Sequence, residues 1–403
     1  MAAYSVLSHE TIIDAAWKTD IRPLLEKRFP EATRDELRKA HAYAYGGAII
    51  QDLGYYPYGS KLFSNLTHYV RCGDFIQALL RDAHDVNEYA FALGALAHYT
   101  ADNEGHRLAV NQAVPLLYPK LKKKYGDTVT YEQNPADHLK TEFGFDVVEV
   151  AQQRFAPDAY HDFIGFEVAQ PLLERAFRET YGLELARVLN NEPRALGSYR
   201  RAISSTIPEA TRVAWALKKD EIQRDLPGMT RWRFLYNLSH ASYQKNWGKD
   251  YRAPTAGEKF LAFLFRLIPK IGPLKALALV PPTPEAQRMF ERSFNAALFQ
   301  YRQLLSDFDR GHLDLINDNL DVGEVTRGGQ YHLADETYAE LLDRLGQRDF
   351  AGVSAELRSA ILSFYSDPAA GVTGRDHKTW ARRENELQRL RVMRLTSEPP
   401  EAP

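Results

Sequence analysis

The stretch Ala97-His98-Tyr99-Thr100-Ala101-Asp102-Asn103-Glu104-Gly105-His106 decides how this chain is interpreted. It follows an apolar run, which predicts a buried helix. On a helix His98 and Asp102 stand at positions i and i+4, share one face and can hold one metal ion. His106 lies roughly 12 Å further along a helix axis than His98, so it suits a second ion with Asp102 between the two. We expect Gly105 to bend or end the helix and to re-aim His106.

Further candidate ligands lie on both sides of this stretch. His138 and Glu142 again stand at i and i+4, on a segment where Asn134 and Pro135 predict a helix start. Imidazole and carboxylate groups are ligands that zinc accepts. Two independent pairs, one of them extended to a third ligand, favour a metal centre over isolated surface pairs. In chain order the candidate ligands are His9, Asp52, His68, His98, Asp102, His106, His138 and Glu142.

Apolar residues at helical spacing recur along the chain, and no series of alternating strands is visible. Helices are predicted at residues 11–17, 34–50, 85–101, 135–153, 162–181, 284–307, 335–345 and 354–365. A polar, Gly-rich connection at residues 309–329 separates two of the later helices. The expected fold class is therefore all-α.

The length of 403 residues allows two domains, or one domain with a substantial extension. A weak boundary signal at Leu226-Pro227-Gly228 divides the chain into a metal-binding domain, residues 1–225, and a helical C-terminal extension, residues 226–395. The Pro- and Glu-rich tail, residues 396–403, is expected to be disordered.

The bulk composition limits the partners. A formal net charge of -2 argues against a general nucleic-acid-binding surface, so no stable nucleic-acid complex is expected. Cys72 is the single cysteine, which rules out an intramolecular disulfide. Residues 260–280 form the most apolar run, but basic residues and prolines interrupt it, so no membrane span is predicted. This run suits either peripheral contact with a membrane surface or a buried helical hairpin.

The compartment depends on the start of the chain. Met1-Ala2-Ala3 is too short to be a signal peptide, but Ala3 is the small residue that would precede a cleavage site. Removal of a signal before Tyr4 implies a secreted or periplasmic protein. An unprocessed start implies a cytoplasmic one.

The order of the candidate ligands resembles that of the zinc-dependent phospholipase C family, which is related to the S1/P1 nucleases. The family pattern begins with a His near the mature N-terminus, an Asp in a Gly/Pro-rich loop and a further His. It continues with His-x-x-x-Asp, another His, and then His-x-x-x-Glu or His-x-x-x-Asp. The matches here, over roughly residues 4–180, are His9, Asp52, His68, His98 with Asp102 and His106, and His138 with Glu142.

The resemblance implies an all-helical, phospholipase C/P1 nuclease-like domain that holds two to three zinc ions in a cleft. One ion would be held by Asp52, His68, His98 and Asp102. A second would be held by His106, His138 and Glu142. The third would be held by Asp102 and His9 together with the mature N-terminal residue. Tyr4 takes that N-terminal position here, so completion of the third site depends on processing.

The implied activity is phosphodiester hydrolysis, most specifically phospholipase C-type cleavage of phospholipids by metal-activated water. Phospholipid or another phosphodiester is the expected substrate. Asp52, in a loop at the expected cleft, is the candidate general base. The tyrosine-rich loop at residues 55–59 and Phe63 suit an aromatic wall for a choline-like head group or a nucleobase, or simple packing against the domain.

Three alternative functions stay open. The first is a P1-type nuclease acting on single strands. The second is an HD-type metal phosphohydrolase, for which His84-Asp85 or His161-Asp162 would be the signature. The third is a non-enzymatic helical protein that binds zinc or lipid. The chain has no Glu-x-x-His pair for a di-iron bundle and no His-Glu-x-x-His motif for a metalloprotease.

Overall fold

Helices dominate the part of the chain that the computed structural model describes, which is residues 5–56, 58–151, 166–189, 191–201, 280, 282–367 and 377–393. The first nine helices are α1 (Val6–Ala16), α2 (Arg22–Arg28), α3 (Arg34–Ile49), α4 (Lys61–Tyr69), α5 (Cys72–Asp82), α6 (Val86–Gly105), α7 (Asn111–Leu117), α8 (Pro119–Tyr125) and α9 (Pro135–Ala151). The later helices are α10 (Gln170–Tyr181), α11 (Leu185–Val188), α12 (Glu192–Arg201), α13 (Pro284–Asp309), α14 (His332–Gly346), α15 (Ala355–Phe364) and α16 (His377–Val392). The all-α expectation is confirmed.

Three short segments depart from regular α-helix. Trp17–Ile21 and His106–Val110 are π-helical, and Ile50–Tyr55 is a 3₁₀-helix. The two-residue strands β1 (Asp318–Asn319) and β2 (Glu324–Val325) pair antiparallel, with Asp318 opposite Val325. These strands lie within residues 311–331, the connection between α13 and α14, which we call the extension loop.

Side-chain caps fix several helix starts as the sequence predicts. The Asn134 Oδ1 atom accepts from the Asp137 backbone N–H at 3.1 Å, and the Thr283 hydroxyl accepts from the Ala286 N–H at 3.2 Å. Both caps precede a proline in the first turn, where no intrahelical donor is needed. The helix predicted at residues 162–181 is wrong at its start, because residues 166–169 are not helical and α10 begins at Gln170. Pro171 in its first turn favours a helix start at this point.

The centre of the fold is the crossing of α3 and α6. A Cβ atom added to Gly47 would lie 1.9 Å from the Phe91 carbonyl oxygen, and one added to Gly94 would lie 2.1 Å from the Ala44 carbonyl oxygen. Real Cβ atoms do not approach an oxygen this closely, so both positions require glycine. The two backbones therefore run nearly in contact, which brings the carbonyl groups of α3 within reach of α6 side chains.

The helices around this crossing bury a continuous apolar core. Helix α10 lies against α5, with the rings of Phe75 and Tyr181 5.9 Å apart. Helix α13 lies against α6, where the Tyr301 hydroxyl donates to the Leu93 carbonyl at 2.9 Å. The Phe290 ring of α13 also stacks on Phe145 of α9. The described part of the C-terminal extension thus packs on the same helices that carry the candidate ligands.

Several sequence predictions fall outside the described residues. They are the domain boundary near residue 226, the apolar run at residues 260–280, the tail at residues 396–403 and the start at Met1 to Tyr4. Within the described segments, no helix has both the length and the apolar character that crossing a membrane requires.

Candidate metal centre

The eight candidate ligands come from separate elements, and all of them are buried. Helices α6 and α9 each contribute a pair, as the i and i+4 spacing predicts. Single residues come from α1, the 3₁₀-helix, α4 and the π-helical turn. By element they are His9 (α1), Asp52 (3₁₀-helix), His68 (α4), His98 and Asp102 (α6), His106 (π-helical turn), and His138 and Glu142 (α9).

Three groups of these residues place ligand atoms within 4.8 Å of one another. Two groups share His98, and we call their members together the first cluster: His9, Asp52, His68, His98 and Asp102. The third group, His106, His138 and Glu142, we call the second cluster. These groupings resemble the ligand sets that the sequence resemblance implies, except that His98 also groups with His9, and Asp102 groups with His9 and His98 instead of with Asp52 and His68.

Helix α6 supplies the centre of the first cluster. The Asp85 carboxylate caps its start by accepting from the Asn87 and Glu88 N–H groups at 2.8 and 2.9 Å. His98 and Asp102 then lie one turn apart, both fully buried, with His98 Nε2 3.2 Å from Asp102 Oδ2. Asp85 is therefore a helix cap, and the HD-type role proposed for His84-Asp85 is not supported by its position. The other HD candidate, His161-Asp162, lies outside the described residues.

His68 and His98 are oriented by backbone carbonyl groups. The Nδ1 atom of His68 lies 2.7 Å from the Ser64 carbonyl oxygen, and Nδ1 of His98 lies 2.9 Å from the Ala48 carbonyl oxygen. A carbonyl can only accept, so Nδ1 carries the proton in both rings. In the neutral rings each Nε2 atom then presents a lone pair, and the two Nε2 atoms face each other at 3.3 Å.

The first cluster is therefore a convergence of electron-pair donors. Nε2 of His68 lies 3.3 Å from Asp102 Oδ2 and 3.5 Å from Asp52 Oδ1. At a zinc–ligand distance of ~2.0–2.1 Å, two ligands of a tetrahedral ion stand roughly 3.3–3.4 Å apart. The separations between these atoms, 3.3 and 3.5 Å, are close to this value. The donor set and its spacing fit a zinc ion.

His9 lies on the other side of Asp102. Its Nε2 atom lies 3.6 Å from Asp102 Oδ1, whereas His68 and His98 face Oδ2. Its ring stacks on that of His98, with the centroids 4.6 Å apart. The two Asp102 oxygens thus face different imidazoles, which is the arrangement that a carboxylate shared between two ions requires. Tyr4, the expected partner of His9 at a third site, lies outside the described residues.

His106 stands where α6 gives way to a π-helical turn. The α-helix ends at Gly105, and His106 begins the turn that runs to Val110. His106 itself keeps helical geometry, because its N–H donates to the Asp102 carbonyl, so the predicted re-aiming of His106 by Gly105 is not supported. Its Nε2 atom lies 3.9 Å from Asp102 Oδ2, so Asp102 stands between the two clusters.

The second cluster is closed by hydrogen bonds. His138 Nε2 lies 2.8 Å from Asn111 Oδ1, and His138 Nδ1 lies 2.8 Å from Glu142 Oε1. The Asn111 side chain also donates from Nδ2 to the Asp321 carbonyl, so its Oδ1 accepts and His138 Nε2 carries the proton. Nδ1 is consequently the His138 nitrogen that can bind a metal.

Burial and charge set the protonation states of the first cluster. Burial opposes ionisation of Asp102, but the surrounding imidazoles, His98 first, outweigh it and hold the pKa well below its usual value. The pKa of Asp52 is also lowered in spite of burial, and His68 and His98 contribute to this lowering. Burial and the neighbouring His98 lower the pKa of His9 to about 3. At neutral pH the cluster therefore contains two carboxylates and an uncharged His9.

The second cluster has the opposite balance. Burial raises the pKa of the Glu142 carboxyl well above its usual range, and burial lowers the pKa of His138 to about 4. The proton between them therefore resides on Glu142, whose hydroxyl donates to His138 Nδ1. A metal ion that binds both residues must displace this proton.

One buried acid beside the centre was missed in the sequence. Asp321, in the extension loop, places Oδ1 3.2 Å from Nδ1 of His106 and is 2% exposed. It lies far along the chain from the other residues and outside any i, i+4 pair. The run Asp314-Leu315-Ile316-Asn317-Asp318-Asn319-Leu320-Asp321, rich in Asp and Asn, was the available signal.

Aromatic rings border the two clusters. The Tyr55 ring lies 6.5 Å from His68 and 6.3 Å from Tyr131, whose ring in turn lies 6.0 Å from His138. Phe63, by contrast, is fully buried and stacks on Phe177. Phe63 therefore packs the core, and the aromatic border of the centre comes from Tyr55 and Tyr131.

Comparison with known proteins supports this interpretation of the site. No curated protein and no solved structure is significantly similar to the chain. Residues 8–191, somewhat less than half of the chain, match the family described as zinc dependent phospholipase C. The matched segment contains all eight candidate ligands. Residues 8–191 are therefore similar to the zinc-dependent phospholipase C family.

Proposed function

We propose that the protein is a zinc-dependent phosphoric diester hydrolase that cleaves phospholipids in the manner of a phospholipase C. The observation that carries the proposal is the convergence of His68 Nε2, His98 Nε2 and Asp102 Oδ2 within 3.2–3.3 Å of one another. In the neutral rings these atoms all accept and none donates, an arrangement that favours a cation among them. The match of residues 8–191 to a zinc-dependent family supports zinc as that cation.

The arrangement favours two to three ions. Bound zinc supplies positive charge for the phosphate oxygens and lowers the pKa of a water molecule toward ~7. The protein's part is to fix the ligands before substrate arrives. Asp102 turns one oxygen to His9 and the other to His68 and His98, so it is the proposed bridge within the first cluster. The second cluster holds the other ion.

Asp52 is the proposed general base as well as a ligand. Asp52 is 5% exposed, and its Oδ1 lies 3.5 Å from His68 Nε2 at the edge of the first cluster. Its lowered pKa keeps it ionised at neutral pH. An ionised carboxylate at this edge can orient a water molecule and accept its proton as the phosphorus–oxygen bond forms.

The rings of Tyr55 and Tyr131 support an organic substrate. Tyr55 lies beside His68 of the first cluster, Tyr131 lies beside His138 of the second, and the two tyrosine rings contact each other. Such rings can hold a cationic head group through cation–π contact. They can also stack on a base, so the aromatic border is compatible with a P1-type single-strand nuclease, and the net charge of -2 favours the lipid. Peripheral contact with the membrane is part of the proposal.

The test is elemental analysis of the purified protein, followed by a substrate panel of phosphatidylcholine vesicles, bis-nitrophenyl phosphate and single-stranded DNA. We expect two to three zinc ions per chain, and release of diacylglycerol from the vesicles that stops when a chelator removes the metal. Less than one zinc per chain would contradict the proposal. Zinc with hydrolysis of only the DNA would identify a nuclease, and zinc with no hydrolysis would favour the non-enzymatic alternative.

A further inference from the structure

The extension loop, residues 311–331, docks on the helices that carry the metal centre. The Cys72 thiol donates to the Asp318 carbonyl at 2.9 Å, and the Tyr99 hydroxyl donates to the Ile316 carbonyl at 2.9 Å. The Leu320 N–H donates to the carbonyl of His68 at 3.1 Å. These hydrogen bonds are made to backbone atoms of the loop, so they hold the loop backbone in one position on the helices.

Glycines allow this close approach. A Cβ atom at Gly73 would lie 2.6 Å from the Ile316 carbonyl oxygen. Gly323 has φ +69°, a left-handed conformation that favours glycine, and a Cβ atom there would lie 2.9 Å from the Asn103 carbonyl oxygen. The loop therefore lies directly on the backbones of α5 and α6.

The tight docking places Asp321 in a defined orientation. Its Oδ2 atom accepts from the Tyr131 N–H at 3.0 Å and from the Tyr331 hydroxyl. Its own N–H donates to Asn319 Oδ1 at 3.0 Å. With Oδ2 held in this way, Oδ1 lies 3.2 Å from Nδ1 of His106, a distance typical of an ion pair.

An imidazole binds a given metal ion through one nitrogen, and the other nitrogen then carries a proton. The Nε2 atom of His106 faces Asp102 and the centre, whereas Nδ1 faces Asp321. An anionic oxygen beside Nδ1 favours the proton at that position. It thereby leaves Nε2 as the metal-binding atom and fixes the direction of the ring.

The same residue also supports His138. The Asp321 carbonyl accepts from Asn111 Nδ2 at 2.6 Å, and Asn111 Oδ1 holds Nε2 of His138 at 2.8 Å. Two of the three residues of the second cluster are thus oriented from one point in the extension loop, outside the segment that matches the family.

We propose that Asp321 is a positioning residue of the second cluster: it holds His106, and through Asn111 also His138, in the orientation that binds a metal ion. The inference rests on the zinc centre proposed above. It assigns to the C-terminal extension a part in the metal centre, which the resemblance to the family does not include.

The decisive variant is Asp321→Asn in the full-length chain. The Tyr131 N–H and the Tyr331 hydroxyl require an acceptor, so the amide oxygen must turn to them and the NH₂ group must face His106 Nδ1. Two donors then oppose each other, and the preferred tautomer of His106 is lost. Asp318→Asn is the matched control, because Asp318 lies on the same loop but its carboxylate lies beside Tyr99 and Asn103 instead of a ligand.

The measurement is zinc binding at a series of buffered free zinc concentrations, with bound zinc counted per chain. Loss of an outer-shell partner typically weakens metal affinity ~10–100-fold, so we expect Asp321→Asn to weaken one ion by about this factor and leave the others unchanged. Asp318→Asn should bind as wild type does. The visible spectrum of the cobalt-substituted protein provides a second readout, because it should change in Asp321→Asn and not in Asp318→Asn.

The possible outcomes separate the two proposals. If wild type binds no zinc, the proposed function fails and the inference fails with it. If wild type binds zinc and Asp321→Asn binds every ion with wild-type affinity and an unchanged cobalt spectrum, only the inference is overturned. If Asp321→Asn does not fold, Tyr331→Phe decides the question, because it releases Oδ2 of Asp321. A loss of affinity at one ion supports the inference, and wild-type affinity overturns it.

Discussion

The two clusters of the metal centre differ in how the protein fills the space that a metal ion would take. In the first cluster, lone pairs of His68 and His98 face each other and Asp102 at tetrahedral spacing. In the second, His138 has a hydrogen-bond partner on each nitrogen, and its 2.8 Å contact with Glu142 is shorter than the edge of a zinc tetrahedron. The first cluster is organised for a cation in advance. The second must open a hydrogen bond before it can bind one, and therefore depends more on its supporting residues.

The substitution with the largest expected effect on this difference is Asp102→Asn. The substitution removes the negative charge shared within the first cluster, so we expect activity to fall by at least about 100-fold. Zinc content should fall but not to zero, because His106, His138 and Glu142 keep their own ligand atoms. Elemental analysis and vesicle hydrolysis measure the two effects. An unchanged zinc stoichiometry would refute the bridging role.

The control for this variant is Glu104→Gln. It makes the same chemical change two residues along α6, where the side chain pairs with Arg107 at the surface. We expect wild-type zinc content and activity.

A second test concerns the support of His9 in the first cluster. Asp146 accepts from the Leu7 N–H, the Ser8 N–H and the Ser8 hydroxyl at 2.9, 3.1 and 2.5 Å, and so holds the start of α1. Burial raises its pKa to about 6, against ~3.9 in the unfolded chain. A raised folded pKa contributes stability below the unfolded pKa that is lost as the pH rises through the folded one.

We therefore expect the free energy of unfolding of wild type, relative to Asp146→Asn, to fall by roughly 2 kcal/mol between pH 4 and pH 7. Denaturant unfolding of both proteins at each pH measures this difference. Subtraction of the variant removes the contribution of the buried histidines, which both proteins share. A difference that is constant with pH would show that Asp146 does not titrate in this range.

The third test disturbs the first cluster indirectly, through the crossing of α3 and α6. Gly94→Ala places a methyl group 2.1 Å from the Ala44 carbonyl oxygen and forces α3 away from α6. Overpacking of this kind costs about 1–3 kcal/mol. It should also weaken zinc binding, because the Ala48 carbonyl that orients His98 moves with α3. Denaturant unfolding and zinc titration measure the two effects.

Gly197→Ala is the matched control, because a Cβ atom at this position of α12 meets nothing within 4 Å. Alanine is the better helix former, so this variant should be unchanged or stabilised by up to ~1 kcal/mol. Equal destabilisation by the two substitutions would contradict the role given to the crossing.

The smallest expected effect is in the second cluster. Asn111→Ala removes the acceptor that holds His138 Nε2, and we expect about 10-fold weaker binding of one ion. Gln112→Ala is the control, because the neighbouring side chain donates to the Arg107 carbonyl instead of a ligand. If Asn111→Ala weakened all ions equally, the two clusters would not be separate units.

The sequence predicted much of this centre because helical spacing is a local property. His98 with Asp102, and His138 with Glu142, are pairs whose geometry follows once the helix is recognised. The capped starts before Pro135 and Pro284 were predictable for the same reason. The eight residues lie together as the resemblance implies, and their action as ligands stays a prediction.

The parts that the sequence did not reveal depend on long-range packing. Asp321 reaches His106 only because the extension loop docks on α5 and α6, and no spacing rule connects residues so far apart. The two ring nitrogens of His138 have different partners, Asn111 at Nε2 and Glu142 at Nδ1. This arrangement likewise depends on a contact between α7 and α9. Phe63 looked like a wall of the cleft because its burial could not be judged from local composition.

The position of Asp321 also has a consequence for the order of synthesis. The ribosome completes the chain from the N-terminus, so all eight candidate ligands emerge well before the residue proposed to orient two of them. Under the proposed role of Asp321, a nascent chain can capture metal in the first cluster early, whereas the second cluster reaches its final affinity only after the extension loop has emerged and docked. Metal loading of this protein would then proceed in two stages, and the later stage would occur only after the extension loop has folded onto the helices.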